Sequence, residues 1–127
     1  MSYSELTHRY FDRAPLAGTL DGPRIATGAA GGRAQGVWVQ FQLQLESGAP
    51  DGPLVAQARF LAFGCPHVIA VAAWIAEQAV GRPARPDLPH SPEALRRLFD
   101  APVEKLGRLF VVEDAWIAAV AAIGRGD

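Results

Sequence analysis

The fold of this chain is decided around one stretch, Phe63-Gly64-Cys65-Pro66-His67, which sets the only cysteine of the 127 residues between two apolar patterns. Before this stretch, residues 54–63 have the composition of a β-strand, and after it residues 68–76 form an apolar run typical of a helix. Proline fits the first position of a helix, where its missing N–H group costs no hydrogen bond. We therefore predict that Cys65 lies where a strand ends and a helix begins.

The position of Cys65 bears on its chemistry. The N–H groups and the dipole at the start of a helix attract negative charge, so we expect this thiol to be more reactive than an ordinary one. The alternative is that Cys65 is a small buried hydrophobic residue, as free cysteines often are. His67 follows two positions later, and residues two apart on a helix do not share a face. We interpret His67 as a polar residue of the first helical turn rather than as a metal partner of Cys65.

The composition excludes several function classes. A chain of 127 residues has the size of one domain, and its formal net charge of -1 offers no polycation for nucleic acid. No apolar run reaches the length needed to cross a bilayer, and the N-terminus lacks the basic and apolar regions of a secretory signal. One cysteine cannot form an internal disulfide. We predict a single domain over residues 1–127, in the cytoplasm, with neither nucleic acid nor membrane as partner.

Two strands are indicated by alternation. Residues 37–45 place an apolar side chain at every second position, which predicts a strand with one core face and one solvent face. The turn-forming residues 47–53 separate this strand from residues 54–63, so the pair is predicted to form an antiparallel hairpin. Residues 14–36 are rich in Gly, Ala and Arg. Because Gly28-Ala29-Ala30-Gly31-Gly32 is too small to pack a core, we predict that this whole segment is a loop.

Three further helices complete the pattern. Ser2 and Glu5 have the spacing of a capping box for a short helix that ends near residues 12–15. Ser91-Pro92-Glu93 begins a second short helix, which stops near Asp100. The last helix is predicted to carry one apolar face, made of Leu106, Leu109, Phe110, Ile117 and Val120. The elements together indicate an α+β fold.

The order of these elements carries a family resemblance. The block Ala58-Arg59-Phe60-Leu61-Ala62-Phe63-Gly64-Cys65 opens the apolar helix, and Ala101-Pro102-Val103-Glu104-Lys105 and Glu113-Asp114-Ala115 follow. This arrangement resembles the U-type iron–sulfur cluster scaffold family, that of IscU and the NifU N-terminal domain, over essentially the whole chain. The resemblance implies an α+β fold in which helices pack on one face of a small antiparallel sheet. It also implies a cluster-assembly site at one end of the molecule and a protein that is not an enzyme.

The resemblance also identifies lost ligands. The family assembles a 2Fe–2S cluster on three cysteines, helped by an Asp and a His, and Cys65 is the one cysteine retained here. By the same resemblance the first lost cysteine falls near Arg33 and the Asp near Gln35, while the His and the third cysteine fall on Gly107 and Arg108. Arginine is a permanent cation without a lone pair to offer a metal. We therefore expect no cluster held stably by the monomer, and iron or a 2Fe–2S cluster only if a partner chain shares it through Cys65.

Three functions remain open at this stage. The first is an auxiliary of iron–sulfur assembly that uses Cys65 as a single thiol or as one ligand of a shared cluster. The second is an interaction module that keeps the fold without metal chemistry, and the third is a thiol enzyme with Cys65 as nucleophile. The Pro-Val-Glu-Lys stretch resembles the family's chaperone-recognition segment. A cysteine desulfurase or an Hsp70-type chaperone, bound through Pro102, Val103 and Lys105, is the expected partner; the alternative is that this stretch is simply the entry to the last helix.

Overall fold

The computed structural model describes residues 3–14, 16–46, 52–88 and 90–123. Within these ranges the chain forms a three-stranded antiparallel sheet and four α-helices. In chain order the elements are α1 (Glu5–Arg13), β1 (Ile25–Gly32), β2 (Val37–Glu46), β3 (Leu54–Phe63), α2 (Pro66–Ala79), α3 (Pro92–Leu98) and α4 (Leu106–Ala121). A first 3-10 turn, Arg33–Gln35, joins β1 to β2, and a second, Val103–Lys105, precedes α4. The predicted α+β fold with a small antiparallel sheet is confirmed.

The central strand is β2, which pairs with β1 on one side and β3 on the other. Its side chains alternate as predicted, and the buried set consists of Val37, Val39, Phe41 and Leu43. In the pairing with β3, Trp38 lies opposite Phe63, and the register shifts between Gln44 and Leu45. The strands and their antiparallel hairpin are therefore confirmed. Most of the turn predicted at 47–53 lies outside the described residues.

The segment predicted as a loop contains a strand instead. Residues 25–32 form β1, and its small side chains are the reason that it packs well. Ala26, Gly28 and Ala30 face α4, and a Cβ atom placed on Gly28 would lie 2.0 Å from the backbone nitrogen of Ala119. The helix backbone thus rests almost directly on the strand. The prediction was wrong because it took small residues as unable to pack a core, whereas here they let two backbones approach closely.

The first helix is tied to the end of α3. Ser4 is the N-cap of α1, and its Oγ accepts a hydrogen bond from the Thr7 backbone N–H at 3.1 Å. The hydroxyls of Ser4 and Thr7 both donate to the Phe99 carbonyl, at 2.8 and 3.0 Å. The cap is therefore two residues later than predicted, and Ser2 lies outside the described residues. The start of α3 at Pro92, with Ser91 as its N-cap, agrees with the prediction.

The second helix is apolar on nearly all sides because it is buried on nearly all sides. It packs between the sheet, which it meets at β3, and α1, with α4 beside it. A helix enclosed in this way needs no polar face. It begins directly after Cys65, its N-cap residue, which confirms the predicted strand-to-helix junction.

The last helix buries a different face from the one predicted. The buried side chains are Leu109, Val112, Ala115, Trp116 and Ala119, which recur at intervals of three and four residues. Phe110 and Ile117, placed on the core face by the sequence analysis, are 47% and 41% exposed. The helix carries apolar residues around most of its circumference, so the sequence pattern alone did not select the face. The contacts of α4 with β1 and β2 determine which face is buried.

One histidine is buried in this core. His67 is 1% exposed, its ring lies edge-on to Tyr3 with centroids 4.9 Å apart, and its Nδ1 has no hydrogen-bond partner. Burial and, to a smaller extent, the positive charge of Lys105 lower the pKa of His67 below its ordinary 6.5, against a weaker opposing effect of Asp100. His67 is therefore neutral in the folded protein at neutral pH.

We expect Gly28→Ala to lower the free energy of unfolding by about 3 kcal/mol, because the added methyl group collides with helix backbone that cannot move aside. The control is Gly32→Ala, where the new Cβ meets nothing within 4 Å. There we expect a change of less than about 1 kcal/mol. Denaturant unfolding measures both, and equal effects of the two substitutions would show that the close packing of α4 on β1 is wrong.

We expect stability to fall as the pH is lowered from about 7 to about 5. In this range His67 binds a proton in the unfolded chain but not in the folded one. The free energy of unfolding therefore falls by up to about 1.4 kcal/mol per pH unit. His67→Phe should remove this part of the pH dependence, while His8→Gln, at an exposed histidine, should leave it in place. The same slope in the His67→Phe protein would contradict the assignment.

Candidate functional site

Cys65 stands in the link between β3 and α2. Its backbone is extended, with φ -80° and ψ 165°, and its carbonyl accepts the N–H of Val68 at 3.0 Å as the first bond of the helix. The thiol makes no capping hydrogen bond, and the side chain is half-buried against the edge of the hydrophobic core. Cys65 is thus neither fully buried nor fully exposed.

The first 3-10 turn lies at the same end of the sheet. It is closed by a hydrogen bond from the Gly36 N–H to the Arg33 carbonyl at 3.0 Å, and Gly36 adopts a left-handed φ of +72°. Glycine takes this conformation without the strain that a side chain would add. The side chains of Arg33 and Gln35, which the resemblance places near two lost ligand positions, are exposed on this turn.

The start of α4 meets this turn. Arg108 is half-buried, and its Nη1 donates a hydrogen bond of 3.3 Å to the Gly36 carbonyl. Gly107, beside it, is exposed, and a Cβ atom there would meet nothing within 4 Å. The guanidinium therefore links α4 to the turn at the position where the resemblance expects the third cysteine.

The end of β3 brings Cys65 to the same place. A Cβ atom placed on Gly64, whose φ is +148°, would lie 3.6 Å from Cγ2 of Val37. Val37 follows the Gly36 turn directly, and Gly64 precedes Cys65. The segments that carry Cys65, Arg33, Gln35 and Arg108 therefore meet at one end of the molecule. We call this end the Cys65 end.

The donor set at the Cys65 end is poor in metal ligands. Among the residues that the structure describes, no group of three or more His, Cys, Asp or Glu side chains is arranged to hold a metal ion. Iron–sulfur clusters are held mainly by cysteine thiolates, and guanidinium groups supply no lone pair. The Cys65 end thus brings together one thiol and the guanidinium groups of Arg33 and Arg108.

Cys65 and His67 do not form a pair. His67 turns into the core beside Tyr3, whereas the thiol lies at the core's edge. His67 is indeed in the first helical turn, but its burial was not foreseen, because the Tyr3 ring that packs on it comes from a distant part of the chain. A catalytic Cys–His pair needs the two side chains within hydrogen-bond reach.

The segment before α4 is held by α3. The Arg96 guanidinium donates from Nη1 to the Ala101 carbonyl at 3.0 Å and from Nε to Oε1 of Glu93 at 3.0 Å. This anchor leaves Pro102 half-buried at the start of the second 3-10 turn and Val103 67% exposed. The turn is therefore firmly placed, with an apolar side chain in solvent.

An apolar row continues from this turn along α4. Val103, Phe110 and Ile117 are each separated by seven residues and are all substantially exposed. We call them the exposed row. The seven-residue spacing is visible in the sequence, but the predicted apolar face of the last helix includes Phe110 and Ile117, so the exposed row was not foreseen. Among the described residues, no helix combines the length and the apolar character needed to cross a membrane.

Known proteins share this fold. The family model described as NifU-like N terminal domain matches residues 2–124. Among solved structures, one from the thermophile Fervidobacterium islandicum AW-1, provisionally named as an iron–sulfur cluster assembly scaffold protein for the SUF system, matches with a TM-score of 0.57. The match has 13% sequence identity and covers 94% of this chain and 95% of the other, so it shows a common fold. The comparison with curated proteins gives no match.

The family match covers nearly the whole chain and agrees with the residues on which the resemblance was first drawn. The resemblance to U-type scaffolds, with one cysteine retained, is confirmed. This chain belongs to the NifU-like N terminal domain family.

Proposed function

We propose that this protein is an auxiliary of iron–sulfur cluster assembly that does not hold a cluster alone and acts through Cys65. Membership of the family supports a scaffold-like role in that process, which is in general not catalytic. One observation carries the finer proposal: the Cys65 end offers one thiol, and Arg108, at a lost cysteine position, is bonded to the Gly36 carbonyl. A cluster brought there would find one thiolate ligand and a fixed positive charge.

The chemistry open to Cys65 is sulfur transfer or shared ligation. In sulfur transfer, the Cys65 thiolate attacks the outer sulfur of a partner's persulfide, R–S–SH. A new S–S bond forms on Cys65, the S–S bond of the donor breaks, and the donor leaves as the thiolate R–S⁻. No outside oxidant is needed, because the sulfane sulfur moves at constant oxidation state. In shared ligation, Cys65 supplies one ligand to iron or a 2Fe–2S cluster whose other ligands come from a partner chain.

Both roles require docking, for which the second 3-10 turn and the exposed row are the proposed surface. Val103 offers an apolar contact, and Lys105, two residues on, offers a positive charge. Pro102 limits the backbone freedom that a partner would otherwise have to freeze. A cysteine desulfurase or an Hsp70-type chaperone is the proposed partner, bound through Pro102, Val103 and Lys105.

The alternative is an interaction module outside iron–sulfur assembly. It is supported by the same exposed row and by the loss of ligands, and it differs in needing no thiol. Cys65→Ala separates the two, because only the auxiliary should lose its activity in a sulfur-transfer assay. A thiol enzyme is disfavoured, since His67 is buried away from the thiol.

We expect the purified monomer to form no stable cluster. Anaerobic reconstitution with iron and sulfide should give no more visible absorption than the Cys65→Ala protein, because one thiolate is too few ligands. A family member with three cysteines, treated in parallel, shows that the procedure works. A stoichiometric chromophore that depends on Cys65 in the monomer would contradict the proposal.

We expect Val103→Ser combined with Lys105→Gln to weaken binding to a purified cysteine desulfurase or Hsp70-type chaperone by about tenfold or more. The unfolding midpoint should hardly change, because Val103 lies mostly in solvent. The matched control is Val80→Ser, another exposed valine, at the far end of α2. If the unmodified protein binds neither partner, the auxiliary role loses its main support and the interaction module is the better conclusion.

A further inference from the structure

A cavity lies at the end of the molecule opposite Cys65. Its volume is about 280 Å³, and its floor is made by Ile75 and Ala79 of α2 and Trp116 of α4. Cys65 caps the start of α2 and Ala79 ends it, and 14 residues at 1.5 Å per residue span about 21 Å. The cavity is therefore separate from the Cys65 end, and what it binds does not depend on the proposed function.

The wall of the cavity is held by the backbone. The link after α2 pairs with the start of β3: the Gly81 N–H donates to the Val55 carbonyl at 2.8 Å, and the Val55 N–H donates to the Arg82 carbonyl at 2.9 Å. On the other side, Nε1 of Trp116 donates to the Arg85 carbonyl at 2.7 Å. These bonds fix the link against α4, so the cavity is formed before any ligand arrives.

The floor is apolar. Ile75 and Trp116 are buried, and the Trp116 ring packs edge-on against Phe41 with centroids 5.6 Å apart. The only polar side-chain atom of this floor is the indole nitrogen of Trp116, which already donates a hydrogen bond to the Arg85 carbonyl. The floor thus offers an aromatic and aliphatic surface with no free hydrogen-bond donor.

The rim is charged, with Arg82, Arg85 and Asp87 around the opening. Within the described part of the chain, neither guanidinium has an ion-pair partner. Two positive charges against one negative leave the rim with a net charge of +1. A guanidinium matches a carboxylate through two parallel hydrogen bonds, and it does so most strongly beside a surface that excludes water.

We propose that this cavity binds a small carboxylate with an apolar body. The carboxylate is bound by Arg82 and Arg85, and the apolar body lies on Trp116, Ile75 and Ala79. A cavity of about 280 Å³ has room for about nine waters at liquid density, which suits a ligand of roughly ten non-hydrogen atoms. An aryl acetate has this size, one negative charge and a flat apolar body.

The test is an NMR titration of the full chain with phenylacetate. We expect saturable shifts of the Trp116 indole N–H and the Gln78 side-chain amide, which both line the cavity, with a Kd of about 0.1–1 mM. Phenylacetamide, which has the same shape without the charge, should bind at least about tenfold more weakly. Equal binding of the amide, shifts at the Cys65 end instead, or no saturable shift up to about 10 mM would each overturn the proposal.

Two variants test whether the guanidinium groups of the rim contribute to the binding of phenylacetate. Arg82→Gln combined with Arg85→Gln should weaken phenylacetate binding by at least about tenfold while leaving the unfolding midpoint unchanged, because both are surface side chains. Arg97→Gln is the control, since Arg97 is an exposed arginine of α3 that does not line the cavity. Unchanged affinity in the double variant, or an equal loss in the Arg97→Gln protein, would overturn the role given to the rim.

Discussion

The rest of the structure depends on the close approach of α4 to β1. Gly28 has no side chain, so the backbone at Ala118 and Ala119 rests on the strand, and this contact sets how far the whole helix stands above the sheet. Three turns nearer the helix start, Arg108 then reaches the Gly36 carbonyl. Between these points Trp116 meets Phe41. One glycine thus fixes the position of α4, which contributes Arg108 to the Cys65 end and Trp116 to the cavity at the opposite end.

The two ends differ in chemistry although the same two helices connect them. At the Cys65 end, the link before α2, the first 3-10 turn and the start of α4 bring one thiol together with exposed or half-buried arginines. At the cavity end, the link after α2 is tied to β3 and α4 and encloses an apolar floor under a charged rim. The first arrangement suits a reaction or a contact at the surface, and the second suits a small molecule.

Under the proposed function, the Cys65 end also illustrates why a fold can persist without its metal ligands. The buried side chains of β2, α2 and α4 hold the sheet and helices together without help from the positions that the resemblance assigns to ligands, which are exposed or half-buried. By the resemblance, Arg33 and Arg108 take the places of two cysteines and Gly107 that of the histidine, which removes ligands at little cost in packing. Arg108 even gains a hydrogen bond to the Gly36 turn. Under the proposed function, shape and docking surface are therefore preserved separately from cluster binding.

The sequence by itself determined the α+β class, the hairpin of β2 and β3, the strand-to-helix junction at Cys65 and the family, because alternation, proline position and a continuous motif are local signals. It placed the ligand substitutions at Arg33 and Arg108 only through resemblance. Only the tertiary structure decided that residues 25–32 form a strand, which face of α4 is buried, and that His67 lies in the core. Only the tertiary structure also showed that Arg82, Arg85 and Trp116 line the same cavity. In each case the deciding contact is made by a distant segment, whose approach no local pattern records.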